Sequence, residues 1–268
     1  NSATITIDIV DDKPVARDDS ASVTEDTHTS VTDNVMTNDS AGADSPASFV
    51  AWTSPLNGTW GTLTDNGLGG YTYTLHDDAS VQALNKGEHQ TDTFTYTMQD
   101  ADGDIKTATL TVMVNGSNDD PTIVVHTGNP ENSNDTVYEA GLTGGTQAGE
   151  AETHAGGTFT LGDADGLSNI AGITIGTTTI AIADLGNNNV INGSNGTLTI
   201  THYDSNTGEV TYTYDLTSPV GNAVGSDAGS DNFTATVNDA DGGSNSANIV
   251  IDIVDDKPVA RDDSASVT

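Results

Sequence analysis

Alternating aspartates recur in three short loops of this sequence. Residues 100–104 read DADGD, and residues 163–166 and 239–242 both read DADG. Such a loop can aim alternate carboxylates at one point, while its glycine permits a tight backbone path. About six to eight oxygen ligands in a flexible geometry are what calcium prefers, whereas magnesium requires a stricter octahedron and retains its waters. The three loops therefore predict calcium binding.

Three acidic segments that each end in proline mark candidate junctions between domains. They are residues 11–14 (DDKP), 118–121 (NDDP) and 255–258 (DDKP). Each follows a run that predicts a β-strand. Proline ends the preceding ladder because it has no N–H, and it keeps the chain extended. These junctions are predicted to be short and stiff, unlike Gly/Ser tethers.

The segments between the acidic loops alternate small polar residues with apolar ones. This period of two runs through residues 49–52, 70–75, 93–98 and 107–114, and it predicts half-buried β-strands. Only residues 79–84 predict a turn or two of helix. The pattern favours an all-β protein over a disordered polyanion.

The sequence repeats at two scales. Residues 1–24 return at 245–268 with only two differences, so the chain holds one period of 244 residues plus an overlap. Within the period, residues 92–103 match residues 231–242 at a shift of 139. Such duplication is typical of an array that must be long and uniform. The first functional hypothesis is therefore that the chain provides length rather than a chemical activity.

The predicted fold is two tandem immunoglobulin/cadherin-like β-sandwich domains, placed end to end with flanking pieces of neighbouring repeats. The predicted divisions are 1–12 for the last strand of a preceding repeat, 13–120 for the first sandwich, 121–256 for the second, and 257–268 for the start of the next repeat.

The expected topology gathers the acidic segments at the poles of each sandwich. The first and last strands of an immunoglobulin-like sandwich run from the N-terminal pole to the C-terminal pole, so the loops after the second and sixth strands lie beside the incoming linker. The 100–104 loop should then face residues 11–12, and the 239–242 loop should face residues 119–120.

Two further loops and two glutamates complete the predicted ligand sets. The loops after the second strands, 34–39 and 161–166, join the same poles, and the first strands carry Glu25 and Glu139 to the opposite poles. The predicted calcium ligands are Asp11, Asp12, Glu25, Asp39, Asp100, Asp102, Asp104, Asn118, Asp119, Asp120, Glu139, Asp163, Asp165, Asp239, Asp241, Asp255 and Asp256.

The net charge of −34 excludes several partners. Nucleic acid and anionic membrane surfaces would be repelled. No apolar run approaches the roughly 18 residues of a membrane span, so direct membrane insertion is not expected. The chain has no cysteine, which leaves core burial or metal to hold the domains. Clustered carboxylates oppose folding unless a cation neutralises them.

Two other interpretations compete with calcium binding and a spacer role. Asp, Asn and Gly are also the usual residues of solvated turns, and residues 204–209 are predicted to be such a hairpin turn rather than a calcium loop. Trp52 and Trp60 could stack on sugar rings in a carbohydrate-binding module, although aromatic residues are more often core.

An enzyme is not expected. Repeated linker loops supply no pair of carboxylates with separated pKa values, as a glycosidase needs. The six histidines are scattered without HExxH spacing, and no G-x-S-x-G, P-loop or dinucleotide motif occurs.

The motifs resemble extender repeats of giant type I-secreted bacterial adhesins, the RTX adhesins. Residues 14–120 are similar to a VCBS or cadherin-like repeat in VTED at 23–26, NVMTND at 34–39 and VNGSND at 114–119. Residues 121–254 resemble the longer immunoglobulin-like repeat of similar proteins in GTFTLGDADGL, DNFTATVNDADG and IDIVDDKPVA.

The resemblance implies an extracellular protein on the bacterial cell surface, active in cell adhesion and biofilm formation, whose adhesive tip lies elsewhere. It implies domains that stand end to end with calcium at their linkers, neighbouring repeats as partners, and a monomer within a long filament. Two features depart from the pattern: Gly243 stands where the first domain has Asp104, and no GGxGxDxxx nonapeptide occurs.

Overall fold

The computed structural model describes residues 3–126, 135–221 and 228–260. The fold is all-β, as predicted, and it consists of two β-sandwiches. These form two compact units, Asn1–Asn118 (unit 1) and Asp119–Thr268 (unit 2).

Unit 1 is a seven-stranded sandwich. One sheet has the order β1-β7-β6-β3, with β1 parallel to β7, and the other has the order β2-β5-β4. A four-residue helix, α1 (Ala79–Gln82), lies where the sequence predicted a helical turn, and Asp78 caps its N-terminus. The strands are β1 Asp19–Thr24, β2 Ser30–Asn34, β3 Ser48–Trp52, β4 Gly61–Gly67, β5 Gly70–Leu75, β6 His89–Gln99 and β7 Ile105–Asn115.

Unit 2 has ten strands among its described residues. One sheet has the order β13-β14-β15-β10-β8 and the other the order β12-β11-β16-β17-β9. The strands are β8 Thr122–His126, β9 Thr136–Tyr138, β10 His154–Gly162, β11 Ile170–Ile175, β12 Thr178–Ala181, β13 Asn189–Asn192, β14 Gly196–Tyr203, β15 Glu209–Leu216, β16 Ala228–Asp239 and β17 Ser244–Val254.

The period of two seen in the sequence is the inward and outward alternation of these strands. In β5, Tyr71 and Tyr73 are buried and the threonines between them are not. Each unit closes its own core, with Phe94 and Leu110 central in unit 1 and Phe159 and Ile251 central in unit 2. The four strand segments predicted in the first domain are confirmed as β3, β5, β6 and β7.

A buried carboxylate joins a loop to the core in unit 1. Asp92 in β6 accepts hydrogen bonds from the backbone N–H groups of Thr59 (2.8 Å), Trp60 (3.1 Å) and Gly61 (3.1 Å), and from the hydroxyl of Tyr73 (2.7 Å). A side chain on Gly61 would collide with the Tyr73 ring. Asp92 therefore fixes the start of β4 against β5 and β6.

The same arrangement recurs in unit 2 at the repeat spacing. Asp231 in β16 accepts from the N–H groups of Asn195 (2.9 Å) and Gly196 (3.0 Å) and from the hydroxyl of Tyr214 (2.7 Å). The sequence showed that Asp92 and Asp231 recur at a shift of 139 but gave them no role. Both are structural anchors.

The described residues at the two ends of the chain do not form β-strands. These are residues 3–12 and 257–260. The predicted start of the next repeat lies outside the described residues from 261 onward. Assigning residues 1–12 to a preceding repeat stays a prediction.

Candidate calcium sites

The first acidic loop, residues 100–104 between β6 and β7, wraps around one of its own carboxylates. Asp100 is 3% exposed, and its Oδ1 accepts from the N–H groups of Gly103 (3.1 Å) and Asp104 (2.8 Å). Gly103 has a φ of +102°, a conformation that favours glycine. The second oxygen of Asp100, Oδ2, is buried and has no hydrogen-bond partner. A buried carboxylate oxygen left in this way favours a bound cation.

Five carboxylates meet at this loop, and we call them the unit 1 acid cluster: Asp11, Asp44, Asp100, Asp102 and Asp104. Ligand oxygens of Asp11, Asp44 and Asp102 lie within 4.8 Å of one another, as do those of Asp100, Asp102 and Asp104. The neighbouring carboxyl group of Asp104 raises the pKa of Asp11, and that of Asp100 raises the pKa of Asp102. These carboxylates compete for protons, and a divalent cation would relieve that competition.

Lys13 is the basic side chain that contacts this cluster in the described structure. Its Nζ lies 2.9 Å from Asp104 Oδ2, and this hydrogen bond holds the pKa of Asp104 below its ordinary value. The ammonium is largely exposed, so the pair contributes little to stability. One lysine does not balance five carboxylates.

The acids that meet in this cluster are not the same set as the ligands predicted for this pole. Asp44 was not predicted, yet it lies among the ligand atoms. Asp12 instead accepts from the N–H of Ala43 (2.6 Å). Asp39 accepts from the N–H of Arg17 (2.8 Å) and from the hydroxyl of Tyr96 (3.0 Å). The structure therefore uses Asp39 to hold the loop after β2, and its predicted role as a ligand stays a prediction.

The unit 2 acid cluster consists of Asp119, Asp163, Asp165 and Asp239. Asp239 Oδ1 accepts from three consecutive N–H groups of its own loop, residues 241–243, at 2.6–2.8 Å. The N–H of Asp119 donates to Asp165 Oδ2 at 2.9 Å, which fixes the start of unit 2 to the 163–166 loop. Asp163 Oδ2 is buried without a hydrogen-bond partner, like the Oδ2 of Asp100.

The pKa of Asp163 reflects the crowding of negative charge in this cluster. Burial raises its pKa to about 6, and the negative charges of Asp165, Asp239 and Asp119 act in the same direction. The folded unit therefore favours a protonated Asp163 when no cation neutralises the site.

Three other predicted ligands lie near the start of unit 2 or in its acidic loop. Asp120 and Asp241 are exposed, and Asn118 is partly buried at the end of unit 1.

Glutamates occupy the opposite pole of each sandwich, as the topology predicted. The parallel pairing of Thr24 with Asn115 places Glu25 beside residue 116, and Glu25 Oε1 accepts from the N–H of Ser117 at 2.6 Å. Glu25 is buried.

In unit 2 the pairing of Tyr138 with Val254 likewise places Glu139 beside Asp255. The buried Glu139 accepts from the N–H of Val220 at 2.5 Å. Asp256 accepts from the N–H of Thr146 at 2.8 Å, a contact that the sequence did not indicate.

One family model matches part of the sequence. Residues 11–116 match the bacterial cadherin-like domain. The matched stretch contains the 100–104 loop, Asp11, Asp44 and Glu25. The predicted resemblance to a cadherin-like repeat is confirmed for this part of the chain. No curated protein matches the sequence.

The similar solved structures include cadherin ectodomains at low identity. Protocadherin gamma B2 extracellular cadherin domains 1–5 are 15% identical, with a TM-score of 0.47, over 93% of this chain and 40% of that one. A PcdhgB3 EC1-4 structure is 16% identical, with a TM-score of 0.45, over 91% and 50%. The human desmocollin-1 ectodomain is 14% identical, with a TM-score of 0.36, over 96% and 39%. The chain thus spans half or less of the length of these three proteins.

The segment 204–209 and the side chain of Trp52 bear on the two other interpretations of the sequence. Residues 204–209 form the hairpin turn between β14 and β15, as predicted. Trp52 packs against Phe49, Tyr71 and Tyr96 at the edge of the core, which leaves little of it for a sugar ring. In the described part of the chain, none of the helices has the length that crossing a bilayer demands.

Lowering the pH is expected to stabilise unit 2 in EDTA and to weaken its binding of calcium. The folded-state pKa of Asp163, about 6, lies above its ordinary value of 3.8. Its protonation therefore contributes stability that is complete below the ordinary value and is lost as the pH rises through the folded-state value. In EDTA the unfolding temperature of unit 2 should rise between about pH 7.5 and 5.5, while the apparent calcium affinity should fall because proton and ion compete. A calcium affinity that is constant across this interval would contradict a role for Asp163 as a ligand.

Proposed function

We propose that this chain is a calcium-rigidified extender segment of a bacterial surface adhesin, which projects a distal ligand-binding region for cell adhesion and biofilm formation. The observation that carries the proposal is the pair of buried, unpartnered carboxylate oxygens, Asp100 Oδ2 and Asp163 Oδ2. Each belongs to an acid cluster that a backbone loop has preorganised. Similarity of residues 11–116 to a bacterial cadherin-like domain supports an extracellular role in adhesion or extension.

Calcium fits both clusters by its chemistry. Carboxylates supply hard oxygen ligands, and bidentate binding lets four or five of them approach the roughly six to eight oxygens that the ion takes. The absence of cysteine and the distribution of histidine outside the clusters argue against zinc or copper. When bound, calcium would neutralise the repulsion among these acids and so couple ion binding to folding.

The short connection between the units supports a rigidifying role. Residue 117 is tied to unit 1 through Glu25, and residue 119 is tied to unit 2 through Asp165. Only Asn118 lies between these two tethered residues. A calcium ion that orders the acidic groups on each side would leave little freedom in the connection.

The charge and the repeat fit a secreted filament. In a cytosol with little calcium, a net charge of −34 would favour the unfolded state that type I secretion requires, and calcium outside the cell would drive folding. Repetition at 244 residues would extend the same unit, with each repeat in contact with its neighbours and the filament monomeric.

Small-angle X-ray scattering tests the extender role. We expect one fixed maximum dimension and a rod-like distance distribution in millimolar calcium, and a broader distribution in EDTA under conditions where circular dichroism shows both units folded. Asp204→Asn, in the hairpin turn outside both clusters, is the matched control and should behave as the parent does. Identical scattering profiles with calcium and with EDTA would overturn the rigidifying role.

A further inference from the structure

A groove runs along one edge of unit 2, between its two sheets. β12 is an edge strand of one sheet and β13 is an edge strand of the other. A cavity of about 490 Å³ lies between these strands, and a second cavity of about 310 Å³ adjoins it at Thr178 and reaches Phe233 in β16. Both cavities have the size of small-molecule sites, about 300–1,000 Å³. We call the two together the β12–β13 groove.

The β12–β13 groove is almost uncharged in a strongly acidic chain. Residues 167–201, which supply both edge strands, contain one charged residue, Asp184, whereas the whole chain has 40 aspartates and glutamates. The groove is lined mainly by amide and hydroxyl groups, such as those of Thr178, Asn187 and Asn192. Each of these groups can both donate and accept hydrogen bonds. Such a lining fits a ligand that is polar and carries no charge.

Two asparagines of the groove have side chains that the fold does not use. Asn188 has a φ of +55°, which asparagine adopts more readily than most residues. Asn189 accepts from the N–H of Gly186 at 3.0 Å and so fixes the turn before β13. The side chains of Asn187 and Asn192 are exposed and make no hydrogen bond with any residue in the described ranges. Their amides are therefore available to a ligand.

One wall of the groove is fixed from the core of unit 2. Asp231 accepts from the N–H groups of Asn195 (2.9 Å) and Gly196 (3.0 Å). Gly193 lies so close to it that a side chain there would meet the Asp231 carboxylate at 2.6 Å. The turn that follows Asn192 is thereby held in place. A ligand would meet a wall that is already formed, which reduces the ordering cost of binding.

The shape and charge of the groove favour a sugar over a peptide or an anion. Val190 in β13 is 56% exposed and lines the larger cavity, so the groove offers an apolar contact beside its amides. A sugar ring needs both, because it has hydroxyls at its edge and C–H groups on its faces. β12 and β13 have four residues each, and such short edges give an added peptide strand few hydrogen bonds. Anionic ligands are repelled by the net charge of −34.

We propose that the β12–β13 groove binds an uncharged oligosaccharide. The amides of Asn187 and Asn192 hydrogen-bond with sugar hydroxyls, and Val190 contacts the C–H face of a ring. This site gives unit 2 a ligand of its own, in addition to the extender role. It depends neither on calcium nor on Trp52, whose ring packs in unit 1.

A glycan array tests the proposal with the full chain in millimolar calcium. The array carries neutral, sialylated and sulfated glycans, and the parent should bind one or more of the neutral glycans and none of the anionic ones. The double variant Asn187→Asp with Asn192→Asp replaces two amide donors by carboxylates. It should bind the same glycan about 10-fold or more weakly. Both side chains are exposed, so the variant should keep its fold, which circular dichroism checks.

Asn245→Asp with Asn248→Asp is the matched control. It adds the same two charges to β17, which β11 and β16 separate from β12 in the order of the sheet. The two asparagines accept through their Oδ1 atoms, from the N–H of Ser246 (2.8 Å) and the hydroxyl of Thr234 (2.9 Å). An aspartate keeps both of these hydrogen bonds. This variant should bind glycans as the parent does.

Chemical-shift mapping locates the bound glycan. In the ¹⁵N-labelled chain it should shift the amide resonances of residues 178–194 and 232–233, and not those of Trp52 or Trp60. Absence of binding to any neutral glycan, equal binding by the two double variants, or shifts confined to unit 1 would overturn the proposal. Binding of uncharged extended peptides on the same array, without any glycan, would assign the groove to strand addition and also overturn it. Scattering in calcium and in EDTA is independent of these results, so the sugar site and the extender role can fail separately.

Discussion

Asp163→Asn is expected to weaken calcium binding by unit 2 about 10- to 100-fold, since calcium affinity depends on the number of ligand charges. In EDTA the same variant should be more stable than the parent, by about 1 kcal/mol once solvent screening is allowed for. The reason is the raised pKa of Asp163, about 6, which burial and three neighbouring aspartates produce. An uncharged amide removes a repulsion that protonation or a bound cation would otherwise relieve.

Isothermal titration calorimetry gives the affinity, and thermal unfolding in calcium and in EDTA gives the two stabilities. Asp204→Asn is the control because Asp204 accepts hydrogen bonds within its own hairpin turn, away from both clusters. It should leave calcium affinity unchanged. The interpretation is wrong if Asp163→Asn binds calcium as the parent does, or if it destabilises the chain equally in calcium and in EDTA.

Asp231→Asn is expected to destabilise unit 2 by about 2–3 kcal/mol, because hydrogen bonds to a buried carboxylate are replaced by weaker bonds to a neutral amide. Asp231 is 2% exposed and accepts from two backbone N–H groups and the Tyr214 hydroxyl. An asparagine with its amide oxygen in the place of Oδ2 could still accept these bonds, but it lacks the negative charge that strengthens them. Its N–H₂ group would also face the backbone N of Asn195, which lies 3.2 Å from Oδ1. Asp92→Asn should have the same effect on unit 1.

Urea unfolding at saturating calcium measures this effect, with tyrosine fluorescence and circular dichroism as probes. Tyr214→Phe removes only the hydroxyl and should cost about 1–2 kcal/mol, which provides a graded control. Each variant should lower the transition of its own unit. An Asp231→Asn chain that unfolds at the urea concentration of the parent would show that Asp231 is not an anchor.

The strands were predictable because each sandwich buries one face of every strand. Tyr71 and Tyr73 point into the core, Thr72 lies between them, and this alternation is visible in the sequence. The glycines of the acidic loops were also predictable. Gly103, Gly166 and Gly242 all have φ near +100°, which glycine adopts at little cost.

The sets of candidate calcium ligands were less predictable, because they depend on the path that each loop takes at the pole of its sandwich. The 3-10 helix Val35–Thr37 tightens the chain after β2, and Asp39 ends against Tyr96 and the N–H of Arg17. Asp44, a few residues later in the same loop, reaches Asp11 and Asp102 instead. Sequence pattern identified an acidic loop but not which of its acids would reach the cluster.

The roles of Asp92 and Asp231 were unpredictable for a similar reason. Their recurrence was visible in the sequence, but their backbone donors lie at 59–61 and 195–196, more than 30 residues away in the chain. Only the paired sheets bring these loops over the aspartates. Recurrence of a buried acid between repeats is a signal for such an anchor, and it is distinct from the signal for a metal ligand.

Thermal unfolding of the full chain in millimolar calcium and in EDTA, at physiological salt, tests the central claim most directly. If calcium binds each acid cluster with a dissociation constant near 10 µM, 1 mM calcium should stabilise each unit by about 2.7 kcal/mol and raise its unfolding temperature by roughly 10 °C or more. Magnesium at the same concentration should have a much smaller effect. Unfolding curves that coincide in calcium and in EDTA would contradict the account, because the acid clusters would then be solvated turns.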